Sequence, residues 1–262
     1  LNFTFQPNYI PSNNIRITNC TFDNNRRNNM SITDGFNILV DGNTFLNGGA
    51  DNPNSVGVRP GYAIDVEAVR GKENGEYIYY EKAYDITISN NIERGSKHGA
   101  FIVAIGEKTT IINNTTENGI SIGDASEVKI IGNTISRPTS TNGTGIVTGH
   151  PDSLTTFDNV VSGNTISGFN TGIAVYQRDT EIFDNTITDF AIGILPKSSK
   201  NINIYKNNLS SERPSSYGIF ANVTSLDNFN IYENKITKVD RESINIVMVN
   251  TSAESVNNVI NI

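Results

Sequence analysis

At 262 residues, with 18% charged side chains and a net charge of −7, the chain lacks the clustered Lys and Arg that a nucleic-acid backbone requires. No run approaches the roughly 18 consecutive apolar residues of a membrane span, and one cysteine, Cys20, excludes an internal disulfide framework. The expectation is therefore no nucleic-acid partner and no membrane insertion, with stability drawn from packing and backbone hydrogen bonds.

Taken in order, the chain keeps returning to one phrase: apolar, any, apolar, any, polar, Asn, any, apolar. It reads IRITNCTF from Ile15, ILVDGNTF from Ile38, VKIIGNTI from Val128, NVVSGNTI from Asn159, TEIFDNTI from Thr180, INIYKNNL from Ile202 and FNIYENKI from Phe229, with looser copies from Ile86 and Thr109. The Asn column runs Asn43, Asn91, Asn114, Asn133, Asn164, Asn185, Asn207 and Asn234, with Cys20 in the first copy. About ten residues ahead of each phrase stands a second one, Gly-Ile-any-apolar, as in GISI, GIVT, GIAV and GIFA. Spacings mostly near the roughly 20–30 residues of a solenoid coil, with period-2 alternation inside each phrase, predict an all-β, right-handed parallel β-helix. Each coil holds at least two strands, and stacked coils place like residues above like. Asn at the corner is expected for two reasons: it tolerates the left-handed backbone of a sharp bend, and its amide both donates and accepts along a ladder. The chain reads as a single domain, 1–262, cut from a longer protein, because it starts and stops inside strand-like text and opens without a signal-type segment.

The repeat is interrupted near 46–59, 69–83 and 136–157, and solenoids bind through such insertions and through outward strand residues. Between the first two lies GYAIDVEA, residues 61–68. With Ile64 and Val66 inward, Asp65 and Glu67 point outward together, their Cβ atoms roughly 7 Å apart at ~3.3 Å per residue. Two carboxyls so placed can flank a glycosidic bond. Arg26 and Arg27 on the preceding coil and His98 on the following one fall near the same face, which makes Asp65, Glu67, Arg27 and His98 the candidate catalytic group, against a plain ion-pair cluster as the structural alternative. Tyr79 and Tyr80 of the second insertion are candidate sugar-stacking residues. A second candidate groove gathers His150 with Asp124, Tyr176 and Arg178. No residue spacing fits zinc, a phosphate loop or a nucleophile elbow. No cofactor or metal is expected, although carboxylates scattered over loops can assemble a calcium site without a local motif.

The run NRRNNMSITDGFNILVDGNTF followed by GYAIDVEA resembles the pectate-lyase-like β-helix superfamily. More narrowly, it is similar to β-helix domains of tail spikes and neck appendages of bacteriophages infecting Gram-positive bacteria. The narrower likeness rests on Arg27, Ser31, Ile32 and Ala63–Glu67, departs at Ala63 where relatives often have Gly, and covers about residues 20–70. It implies a homotrimeric virion protein that grips, and commonly cuts, a bacterial cell-surface glycan or teichoic acid. The NTD, paired-Asp, GHG and RIK motifs of pectate lyases and polygalacturonases are missing, so their chemistry does not transfer. The reading is a depolymerase, hydrolase rather than lyase. A glycan-binding module, a structural stalk and a secreted lyase or epimerase stand as alternatives.

Overall fold

The computed structural model describes residues 9–137, 142–149, 157–198, 200–223, 226–248, 255–256 and 259–260, and among these it contains strands and no helix. Its packing divides the chain into two compact units, Leu1–Val128 and Lys129–Ile262. Each is a parallel β-helix, and the coil has three sides where the sequence pattern indicated at least two.

In the first unit the recurring phrase forms Asn13–Thr18, Gly35–Asp41, Ala83–Ser89 and the latter half of Gly99–Ile112, paired in parallel so that Ile17, Val40, Ile88 and Ile111 form one interior column. The Gly-Ile phrase forms Met30–Ile32, Tyr62–Glu67, the first half of Gly99–Ile112 and Ile120–Ser126, with Ile32, Val66, Val103 and Ile122 in register. The third side consists of two- and three-residue strands: Thr21–Asp23, Thr44–Leu46, Ile92–Arg94 and Thr115–Thr116. They are too short for alternation to show in the sequence. The second unit repeats this plan, with columns Ile130–Val161–Ile182–Ile204–Ile231, Ile146–Ile173–Ile194–Ile219–Ile244 and Ile135–Ile166–Ile187–Leu209–Ile236. Most of these side chains are fully buried, each contributing about 1.5–3 kcal/mol of apolar transfer. On the outer surface Phe183, Tyr205 and Tyr232 stack with centroids 4.9 and 5.0 Å apart, the spacing of neighbouring strands.

The Gly of the Gly-Ile phrase is required by close approach. A Cβ on Gly145, Gly172, Gly193 or Gly218 would lie 2.4–2.8 Å from the carbonyl oxygen of the residue one coil on, well inside contact distance. The Asn column forms the expected ladder. Asn43 donates through N–H and Nδ2 to Asn91 Oδ1, and Asn91 likewise to Asn114; in the second unit the chain runs Asn133, Asn164, Asn185, Asn207, Asn234 at 2.9–3.1 Å. The backbone reason offered for Asn needs correction. The left-handed residue is the one before the ladder: Asn19, Gly42, Asn90, Asn113, Gly132, Gly163, Asp184, Lys206 and Glu233 all have φ between 54° and 65°. The ladder Asn is therefore selected for its amide alone, and the bend is left to its predecessor.

One interior position departs from the apolar rule. Glu93 follows Phe22 and Phe45 in its column and is 1% exposed. Its carboxylate accepts from the backbone N–H groups of Ser96, Glu117 and Asn118 and from Asn118 Nδ2, at 2.9–3.2 Å. Four donors satisfy a buried acid, so Glu93 closes a corner.

Asn164→Ala should lower the unfolding free energy by about 3 kcal/mol, because the Ile130 carbonyl and the Asn133 donors lose buried partners. Gly163→Asn should change it by less than about 1 kcal/mol, since Asn90 holds the same conformation on another coil and an added Cβ meets only ordinary contacts. Urea unfolding of the two variants tests this division of labour.

Candidate functional site

The site lies in the first unit, where two insertions leave the coil. Loop 46–59 folds back on the residues before Met30: Gly49 N–H donates to Asn25 O, and Val58 N–H to Arg26 O at 2.8 Å. This brings Arg59 beside Arg27. Together with Pro60, Tyr62, Asp65, Glu67, Ile102 and Ala104 they line an open cleft of about 500 Å³. The cleft floor is shaped by a bulge at Ala104, where Val66 pairs Val103 but Glu67 pairs Ile105; bulges of this kind re-aim side chains next to sites.

The alternation predicted for GYAIDVEA holds. Ile64 and Val66 are fully buried in interior columns, while Asp65 belongs to the outer column Ser31–Asp65–Ile102–Ser121. Asp65 is nonetheless only 3% exposed, because the cleft walls cover it, whereas Glu67 is exposed. Asp65 Oδ2 accepts a 2.8 Å hydrogen bond from Asn28 Nδ2, and Asn28 Oδ1 accepts from Tyr62 N–H. Oδ1 is buried with no hydrogen-bond partner among the described residues. Desolvation, reinforced by the Glu67 charge and opposed by the Asn28 hydrogen bond and Arg27, pushes the Asp65 carboxyl up to about 6. The Tyr62 hydroxyl is raised by burial and by Asp65, against the pull of Arg59. A shielded carboxyl that keeps its proton toward neutrality, next to an exposed one, is the pattern of an acid and a base or nucleophile.

The remaining sequence candidates divide. Arg27 lines the cleft as expected. Arg26 does not; its Nε points to the Val56 carbonyl at 3.4 Å. His98 flanks the cleft and does not line it: its Nδ1 would lie 2.7 Å from a Cβ on Gly61, a close approach that only Gly permits. Burial, then Arg59 and Lys97, lower its pKa, which favours the neutral ring. Insertion 69–83 contains an antiparallel hairpin, Arg70–Glu73 with Glu76–Tyr79, turning at Asn74 and Gly75 with φ of 51° and 87°, a type I′ geometry. Tyr79 is 6% exposed and so cannot serve as an open stacking platform, and Tyr80 lies against Gly71. The exposed ring is Tyr77, under Arg70 and Lys72. Asp124 is bound by Arg70 at 2.5 Å, and the register Glu67–Ile105–Asp124 sets it in the first unit's own row. In the second unit, Arg178 pairs with Asp179 at 3.2 Å and Tyr176 N–H bonds the Thr148 carbonyl; His150 lies outside the described residues. Sequence reasoning missed Arg59, Tyr62 and Asn28. The loop ending in Arg-Pro-Gly immediately before the acidic strand was the available signal for Arg59; Asn28 stands at a corner, where alternation gives none, and Tyr62 opens the acidic strand in the parity of the inward Ile64 and Val66.

Comparison with known proteins finds similarity to curated proteins that are themselves uncharacterized. Residues 152–217 match the family model described as periplasmic copper-binding protein (NosD). The chain is 30% identical over 210 residues to the uncharacterized protein YclG of Bacillus subtilis (strain 168), covering 77% of this chain and 34% of that protein. It is 28% identical over 180 residues to the SPbeta prophage-derived uncharacterized protein YorA of the same organism, covering 68% and 29%. The chain thus spans about a third of the length of these curated relatives. Among solved structures, the A-module of the mannuronan C-5 epimerase AlgE4 of Azotobacter vinelandii is 15% identical with a TM-score of 0.46, over 86% of this chain and 75% of that one. The A-module of AlgE6 is 13% identical with a TM-score of 0.44, over 94% and 78%. The NosD-like stretch contains no Cys, Met or His, the donors copper prefers, so its residues do not fit that metal. Among the described residues no three His, Cys, Asp or Glu side chains converge as a metal site.

Because Asp65 has its pKa raised by folding, its ionisation opposes the fold: the contribution is absent below the unfolded value near 3.8 and stability is lost as pH rises through about 6. Asp65→Asn should therefore gain about 2 kcal/mol relative to the parent between pH 4 and pH 8, read from denaturation midpoints at the two pH values. A difference that does not change with pH would show that the carboxyl is freely solvated.

Proposed function

We propose that this β-helix binds and hydrolyses a bacterial cell-surface polymer, a polysaccharide or teichoic acid, laid across the cleft of its first unit. The observation carrying the reading is the shielded Asp65, its Oδ1 unpartnered among the described residues, beside the exposed Glu67 in an open cleft. Asp65 protonates the leaving oxygen of the scissile linkage while Glu67 activates water or attacks directly. The i, i+2 spacing, roughly 7 Å between Cβ atoms, suits a pair of carboxyls acting across one bond.

Purified protein incubated with Gram-positive cell-wall polymer should release oligomers. Release should fall as pH rises through about 6, where Asp65 loses the proton it must donate. Asp65→Asn and Glu67→Gln should each reduce the rate by about 10²–10⁴-fold with the fold intact by circular dichroism. Unsaturated, ultraviolet-absorbing ends would instead mean elimination, and undiminished release in both variants would remove these residues from the chemistry.

The resemblance of residues 20–70 to phage appendages, joined by a prophage-derived relative, supports a virion location and a homotrimer for the full-length protein. Sedimentation equilibrium of that protein should return three times the chain mass; a monomer would contradict the assembly.

A further inference from the structure

The cleft also holds two guanidiniums that the proposed reaction does not use as acid or base. Arg27 and Arg59 are both exposed and both line it. Neither guanidinium makes an ion pair or hydrogen bond among the described residues, although other cations nearby are committed: Lys97 to Asp51 at 2.9 Å, Arg70 to Asp124 at 2.5 Å, and Lys82 to Glu107 at 3.1 Å. Asp65 and Glu67 share the cleft with them, yet the Asp65 carboxyl takes its one hydrogen bond from a neutral amide, Asn28. Loop 46–59 is pinned by backbone hydrogen bonds to the segment carrying Arg27, so both guanidiniums stand on anchored backbone. Two free guanidiniums facing one cleft form a fork for an oxyanion, and planar N–H pairs match carboxylate and phosphate geometry.

Resting on the hydrolase reading above, we propose that the cleft selects a polymer whose repeat carries an oxyanion, carboxylate or phosphate, seated on Arg27 and Arg59 next to the linkage facing Asp65 and Glu67. Carboxylate and phosphate share this recognition chemistry. The net charge of −7 for the chain does not oppose it, because charges beyond roughly 8–10 Å are screened at physiological salt and these two are the cations of the cleft wall. Ile102 and Ala104 between them offer an apolar floor for the uncharged face of a sugar or polyol.

Binding is measured by titration calorimetry on the Glu67→Gln protein, so that turnover does not intervene. The probes are polygalacturonate, its carboxyl-reduced neutral counterpart, and glycerol-phosphate teichoic acid. At least one anionic probe should bind roughly tenfold or more tightly than the neutral one, and Arg27→Gln and Arg59→Gln should each remove that preference. Which anion is preferred identifies the source of the charge. Equal affinity for the neutral polymer, no binding to any probe, or a preference unchanged in both arginine variants would overturn the assignment. Anion-selective binding without cleavage by the parent protein would end the hydrolase reading and leave this one standing. Cleavage of a neutral polymer would do the reverse.

Discussion

Parallel stacking in register governs the rest of this structure. Once each strand must lie directly over its counterpart, every position becomes a column, and the column selects residues by what can follow itself along the axis. β-Branched apolar side chains do so inside, as in the run from Ile130 to Ile231. Carboxamides do so at the corner, because each Asn donates forward and accepts from behind. Glycine does so where the next coil's carbonyl leaves no room for a Cβ. The same rule confines insertions to the bends, since an extra residue within a strand would displace every column it joins. Loops 46–59 and 69–83 accordingly leave at coil ends, and the first can fold back to set Arg59 against Arg27.

Two buried carboxylates show how differently burial can be compensated. Glu93 and Asp65 are 1% and 3% exposed, respectively. Glu93 accepts four hydrogen bonds, three of them from backbone N–H groups fixed by the turn. Asp65 accepts one, from a side chain, and leaves an oxygen without a partner among the described residues. A fold does not gain from the second arrangement: an under-satisfied carboxyl opposes folding whenever it ionises. Under the proposed function the arrangement becomes useful, because a ligand filling the cleft would supply the missing contact.

How much of this was legible beforehand follows the same physics. Columns repeat, and repetition is visible in one sequence: the ladder Asn, the inward Ile64 and Val66, and the outward Asp65 all follow from alternation. Arg27 was legible because it stands three residues before the repeat strand Met30–Ile32. What does not repeat was harder. Arg59 reaches the cleft through a loop whose course depends on backbone hydrogen bonds to Asn25 and Arg26. Asn28 sits at a corner, where alternation has not begun, and Tyr62 opens its strand in the parity of the inward Ile64 and Val66, so alternation does not aim it at the cleft. Tyr79 looked like a binding ring by composition, but it shares a strand face with Tyr77 two residues earlier, and of the two only Tyr77 stays exposed. The Asn ladder was read correctly in position and half correctly in cause, because the left-handed residue and the amide donor are neighbours in sequence and the phrase alone does not separate their roles.

Net charge is a poor guide to what a ligand meets at one cleft, because charges further away than about 8–10 Å are largely screened at physiological salt. The cleft is lined by residues of the first unit. What a ligand meets there is set by the handful of side chains that three adjacent coils present: two arginines on the wall, one exposed glutamate, and an aspartate whose charge depends on its proton. When that proton is in place the cleft is cationic within an acidic chain. Under the two proposals made above, the state that can donate a proton is then also the state that attracts an anion, which would couple recognition to chemistry through a single carboxyl.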